Sequence, residues 1–277
     1  MRSALTDFQA SLVRVEDITL DIDANAVAAL ATRTVRERHE TTQCACTAIL
    51  SGFFEAFLKD VAEDFISNVS ALRIPFTALP EVLRKTHYAN GGIILNGKQT
   101  NKGKFLWVTA SPDDIARRLA SVGSVPYELL WEAFADTQSN PTPDVIKELM
   151  RACGIARPWI KLSVKTGITE NSIITQLTSF LAVRNECAHT GTASSIPTPS
   201  DIRGYCTFLL KLALGIVETL EDHLASGEFK RALSVPLPSA AAATPPVSAT
   251  PSVAALDKKN STVLRRIWDY VCSFLRR

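Results

Sequence analysis

Between Thr41 and Val69 the apolar residues Ile49, Leu50, Phe53, Phe54, Phe57, Leu58, Val61, Phe65 and Ile66 recur every three or four positions. That spacing puts them on one wide stripe of a helix, with Glu55, Lys59, Asp60, Glu63 and Asp64 filling the positions between. Other helices announce themselves by their first residues. Ser111-Pro112-Asp113-Asp114 offers a cap, a first-turn proline and an acidic third position ahead of Ile115. Thr142-Pro143-Asp144 does similar work before Val145 to Cys153, and Thr198-Pro199-Ser200-Asp201 before the apolar segment from Ile202 to Leu224. Thr169 is placed to cap a helix from about Glu170 to His189. The pattern predicts an all-α fold, an up-and-down helical bundle.

Two stretches break the pattern. Asn90-Gly91-Gly92, Asn96-Gly97 and Lys102-Gly103-Lys104 are turn signals around short apolar runs, so a small hairpin or irregular insertion is expected near residues 88–109. Past Leu233 the composition shifts to Ala, Pro, Ser, Thr and Val without charge, which reads as an extended linker. Helical spacing resumes at Thr262, with Leu264, Ile267, Trp268, Val271 and Phe274 opposite Arg265, Arg266, Arg276 and Arg277. The expected organisation is therefore a helical domain over 1–233, a flexible linker over 234–261 and a basic amphipathic helix over 262–277.

Composition narrows the setting. The 277 residues are 46% hydrophobic and carry a formal charge of +2, so a large core is affordable and no global field marks a nucleic-acid partner. Six scattered cysteines contain no CxxC spacing. No apolar run approaches the roughly 20 residues that cross a bilayer, and Met1 to Asp23 lacks the apolar centre of a secretory signal. A cytoplasmic protein with free thiols is expected.

The most informative residues are Arg184-Asn185-Glu186-Cys187-Ala188-His189, at the end of the helical run through Ile173, Leu177, Phe180 and Leu181. Extending that stripe lands on Arg184 and then Ala188. Arginine binds phosphate bidentately at any biological pH, and histidine moves protons near neutrality. Two readings stand on spacing alone. In one, the arginine is paired internally and the histidine caps its own helix before Gly191; in the other, the pair binds a phosphate and shuttles protons.

The string Leu181-Ala182-Val183-Arg184-Asn185-Glu186-Cys187-Ala188-His189-Thr190-Gly191 resembles the R-x(4–6)-H signature of the HEPN superfamily. Ser51-Gly52-Phe53-Phe54-Glu55-Ala56-Phe57-Leu58, Asn140 to Ile146 leading into Gly154-Ile155, and Pro199-Ser200-Asp201-Ile202 are similar to one branch, the RiboL-PSP-HEPN or MAE-type HEPN-like nucleases. The resemblance spans roughly Ala26 to Leu233. It implies a metal-independent endoribonuclease acting as a homodimer, with two motifs facing one cleft and no cofactor. It implies that Arg184 binds the scissile phosphate, that His189 acts as general acid or base, and that Asn185 orients one of them. Glu55 is the carboxylate expected to fix Arg184. The resemblance also suggests a toxin, stress or phage-defence setting, and equally admits a silent module that binds RNA, nucleotide or protein. HEPN toxins silenced by tyrosine modification carry Tyr two residues after the histidine; here that position is Gly191.

Lesser candidates remain. Lys98, Lys102, Lys104 and Trp107 are placed as an RNA-binding cluster, with a solvated hairpin tip as the alternative. Gly92 to Gln99 nearly spells a phosphate-binding loop but lacks the final Ser or Thr. His39, Cys44 and Cys46 lack a fourth ligand nearby, so no metal is expected. The C-terminal helix is assigned to docking or to a protein partner such as an antitoxin, ahead of a membrane surface.

Overall fold

A computed structural model describes residues 1–100, 105, 107–121, 127–135, 140–191 and 193–229. Its helices are α1 (Arg2–Ala24), α2 (Ala26–Ala31), α3 (Arg33–Ala71), α4 (Glu81–Gln99), α5 (Pro112–Ala120), α6 (Pro143–Ala152), α7 (Pro158–Thr166), α8 (Glu170–Thr190) and α9 (Pro199–Leu224). Two short 3-10 turns, Phe76–Ala78 and Trp131–Ala133, join them, and the described residues contain no strand. The all-α bundle read from the sequence is the observed architecture. The expected linker and C-terminal helix, 234–277, lie outside the described residues.

The apolar stripe between Thr41 and Val69 belongs to α3, which is 39 residues long, about 58 Å at 1.5 Å per residue. Leu50, Phe54, Leu58, Val61, Ala62, Phe65 and Val69 on it are wholly buried. Helices α1, α8 and α9 pack around it. Helix α1 runs antiparallel to α3, since Ser3 Oγ donates to Asp64 at 3.2 Å while Phe8 packs on Phe54 and Phe57. Helix α9 runs antiparallel to α1, because Arg2 pairs with Glu221 and Arg203 with Asp23 at opposite ends. Buried hydroxyls within the helices satisfy themselves on their own carbonyls, as Thr47 does on Gln43 and Thr219 on Gly215.

The helix starts read from Ser111, Thr142, Thr169 and Thr198 are all present as side-chain caps. Thr198 and Asp201 form the reciprocal version, each side chain accepting from the other's backbone N–H. Residues 33–41 of α3 are exposed or half-buried throughout, although α2 packs on this helix, so the core does not extend to this end. No helix among the described residues is long and apolar enough to cross a membrane.

One local expectation is corrected. Residues 88–99, read as the start of a hairpin or irregular insertion, are helical and belong to α4. The glycines there serve close packing instead of turns. A Cβ on Gly91 would meet Leu119 Cδ2 at 2.7 Å, and one on Gly97 would meet the Phe105 ring at 2.0 Å. Tertiary contact thus overrides local turn preference. Gly97→Ala is expected to lower the unfolding free energy by about 1–3 kcal/mol through overpacking, despite alanine's better helix propensity. Gly92, with nothing within 4 Å of its Cβ position, gives the opposite sign: Gly92→Ala gains about 0.5–1 kcal/mol. Urea denaturation of the two variants measures both.

Candidate active site at the end of α8

The buried stripe of α8 runs through Ile173, Leu177, Phe180 and Leu181 and then passes to Cys187. Ala188, the extrapolated next position, is exposed, and Arg184 is half-buried at the margin of the stripe. The Cys187 thiol hydrogen-bonds that of Cys44 on α3. The part of α3 able to cover Ile173 to Leu181 lies beyond Cys44, so the two helices run antiparallel. The end of α8 therefore sits where α3 leaves the core.

Arg184 Nη1 donates to Asn185 Oδ1 at 2.9 Å, while its Nε is buried without a partner. No carboxylate pairs with this guanidinium among the described residues. Among the described residues its one side-chain partner is thus a neutral amide. His189 is exposed in the last turn, which ends at Gly191 in the left-handed conformation (φ 68°), its N–H bonded to the Cys187 carbonyl. Asn185 and His189, four positions apart, share a face, and Asn185 links that face to Arg184. Arg184 and His189 themselves are five positions apart, hence about 140° around the helix and about 7.5 Å along it.

Glu186 was missed by sequence reasoning. Its carboxylate accepts from both the backbone N–H and the hydroxyl of Ser194, each at 2.8 Å, which tethers the chain beyond α8 and holds the carboxyl below its usual range. Glutamate and serine eight residues apart make no recognisable pattern, so only the fold reveals the tether. A recess of about 360 Å³ lies between α8 and the first turns of α9, walled by Gln176, Ser179, Asp201 and Tyr205 among others. Ser179 precedes Arg184 by about 7.5 Å along α8.

This arrangement sits inside a match of the family model described as RiboL-PSP-HEPN, which covers residues 14–222. The chain belongs to the RiboL-PSP-HEPN family. No curated protein and no solved structure matches it. In this HEPN-type domain the matched span takes in α8 and the long central α3 on which it packs.

The remaining expected residues of the HEPN domain fall elsewhere. Glu55 accepts from Lys59 Nζ at 2.7 Å on its own helix, and Lys59 also lies over the Trp107 ring at 5.3 Å. Glu55 is eleven residues beyond Cys44, about 16 Å along α3, whereas Arg184 is about 4.5 Å from the same contact along α8. Glu55 and Arg184 form no hydrogen bond or ion pair with each other. Lys98 donates to the Val108 carbonyl at 2.9 Å, and Trp107 packs on Trp131. Both side chains thus have partners within the bundle; Lys102 and Lys104, the other members of the expected RNA-binding cluster, lie outside the described residues. The near phosphate-loop, Gly92 to Gln99, is continuous helix and cannot wrap a phosphate with its amides. Cys44 faces α8 and Cys46 faces Cys206 on α9, so the two cysteines diverge.

Cys187, read as a packing residue, is buried, and burial together with the Cys44 contact pushes its thiol up to about 12. Burial does the same for Cys46, Cys153 and Cys206. Thiols this weakly acidic are thiolate about once in ten thousand at pH 8. Iodoacetamide at pH 8 is therefore expected to label these four cysteines only after denaturation, as read by mass spectrometry. The sign for stability follows. Between about pH 9 and 12 the unfolded chain releases thiol protons that the folded chain keeps, so the unfolding free energy falls as pH rises through that window.

Proposed function

We propose that this HEPN domain is a metal-independent endoribonuclease, with Arg184 and His189 as its reacting pair. The observation carrying the proposal is the Arg184 guanidinium. It is held by Asn185, half-buried, and without a carboxylate partner among the described residues. A cation kept unpaired at the margin of a core is costly unless an anion completes it. Five positions on, about 140° around the helix, stands an exposed imidazole.

The chemistry follows from those two groups. One imidazole takes the proton of a ribose 2′-hydroxyl as that oxygen attacks the adjacent phosphorus. The bond to the 5′-oxygen breaks, and a protonated imidazole returns a proton to it. The products are a 2′,3′-cyclic phosphate and a 5′-hydroxyl. Arg184 stabilises the charge that gathers on the non-bridging oxygens, so the step needs no metal. Base and acid roles for imidazole call for two histidines or for one used in turn. The 140° divergence of Arg184 from His189 favours a cleft assembled from two copies. The dipole argues the same way, because the C-terminal end of α8 is partly negative and repels phosphate, so more than one arginine is called for. A role in stress or phage defence, under a protein partner's restraint, is the setting we infer from the family resemblance.

The test is RNA cleavage by the full chain in EDTA. His189→Ala and Arg184→Ala are each expected to reduce the rate at least about 100-fold, and Asn185→Ala less. Glu55→Ala leaves it within a few-fold. Product analysis should find cyclic phosphate ends. A dimeric wild-type protein that leaves all RNAs intact would overturn the enzyme in favour of a binding module.

A further inference from the structure

About 40 Å along α3 from the Cys44–Cys187 contact, the chain turns from α3 into α4 through Leu72 to Pro80. This turn is tightly framed. Arg73 adopts φ 53°, the left-handed region, and is the one non-glycine residue among those described to do so; Pro75 and Pro80 flank the 3-10 turn Phe76–Ala78. Positive φ at a bulky residue persists only where the surroundings impose it, and such residues gather at functional sites. Beside the turn opens a recess of about 640 Å³ lined by Phe76, Glu81, Arg84, Lys85, Tyr88 and Ala89. The five α4 residues among them are spaced i, i+3, i+4, i+7 and i+8, one face of the helix.

The recess has an aromatic floor and a cationic edge. Tyr88 is 47% exposed, and its ring meets the edge of Phe76 at 5.5 Å and 79°. Phe76 is itself clamped by edge contacts to Tyr127 and His87 behind it. That leaves a rigid, open aromatic platform. Arg84 Nε donates to the Leu79 carbonyl at 3.1 Å, which fixes the guanidinium at the rim while its terminal nitrogens have no partner among the described residues. Lys85 adds a second positive charge but shares it with Glu81 at 2.6 Å. An uncharged aliphatic ligand would leave this guanidinium uncompensated, and an aliphatic anion would leave the Tyr88 face unstacked. A planar ring that stacks on Tyr88 and carries an anion to Arg84 satisfies both groups, and Glu81 stands ready to accept from an exocyclic amine.

We propose that the Phe76–Arg84–Tyr88 recess binds a nucleotide unit, its base stacked on Tyr88 and its phosphate on Arg84. The unit is supplied either by a free nucleotide or by a single-stranded RNA. The site is independent of the Arg184–His189 reading and stands whether or not that pair cleaves RNA.

Binding to the full-length protein, followed by calorimetry, tests it with four probes: AMP, adenosine, ribose 5-phosphate and a short 2′-O-methyl oligoadenylate, which cannot be cut through a 2′-hydroxyl. AMP or the oligonucleotide should saturate, with adenosine and ribose 5-phosphate each about tenfold weaker or worse than AMP. Tyr88→Ala and Arg84→Ala should each weaken binding about tenfold or more, while Tyr88→Phe retains it. AMP binding equal to that of the oligonucleotide assigns the site to a free nucleotide; much tighter oligonucleotide binding assigns it to a strand. Saturation by neither probe, or binding that survives both Tyr88→Ala and Arg84→Ala, overturns the proposal.

Discussion

Burial of α3 on several sides is the constraint from which the rest of the bundle follows. Each fully buried phenylalanine or leucine on it contributes about 1.5–3 kcal/mol, and no other helix matches its 39-residue length. Because α1, α8 and α9 all use α3 as their common wall, the register of each is set by where α3 is apolar. That apolar stretch begins near Cys44. Helix α8, packed antiparallel with Cys187 against Cys44, must therefore finish where shared burial runs out. Arg184 lies at that margin and His189 beyond it, which is the placement a solvent-reaching chemical pair requires.

The same geometry explains why the two motif residues differ in burial. Arg184 precedes the last buried contact of α8 and keeps its Nε out of water. His189 follows that contact and is exposed. Cys187 between them fixes the helix against α3 without taking part in proton chemistry, since its thiol stays protonated near neutrality. Glu186 then ties down Ser194, so the backbone leaving α8 is held even though the helix has ended. A half-buried guanidinium, a fastening thiol and an exposed imidazole occupy one helical turn and a half, each on its own bearing.

What was legible in the sequence was local. Four helix caps could be read because a side chain and an amide three residues on are enough to make one, and the 3.6-residue stripe of α3 needs no knowledge of its partners. The glycines of α4 were misread because the reason for them is not local. Gly91 and Gly97 admit Leu119 and Phe105, and nothing in Asn-Gly distinguishes a turn from a point of close packing. Glu55 stands between the aromatic positions of α3, as the spacing implied, but which residue of α8 it faces depends on register, which spacing along one helix does not reveal. Lys98 and Trp107 have the composition of a strand-binding patch, yet a carbonyl and a second tryptophan claim them.

A helix as long as α3 also separates what it organises. The Arg184–His189 pair belongs to the end where α3 emerges from the core, and the Tyr88 recess to the turn that follows its other end. A rigid rod of some 40 Å holds two such places at fixed distance and cannot bring them together without breaking the core around Phe54, Leu58 and Phe65, all wholly buried. One mononucleotide cannot touch both. A single strand long enough to reach from one to the other can, and holding it at the recess would raise its effective concentration at the motif. Coupling between the two ends is then a property of the ligand's length and not of any motion in the protein.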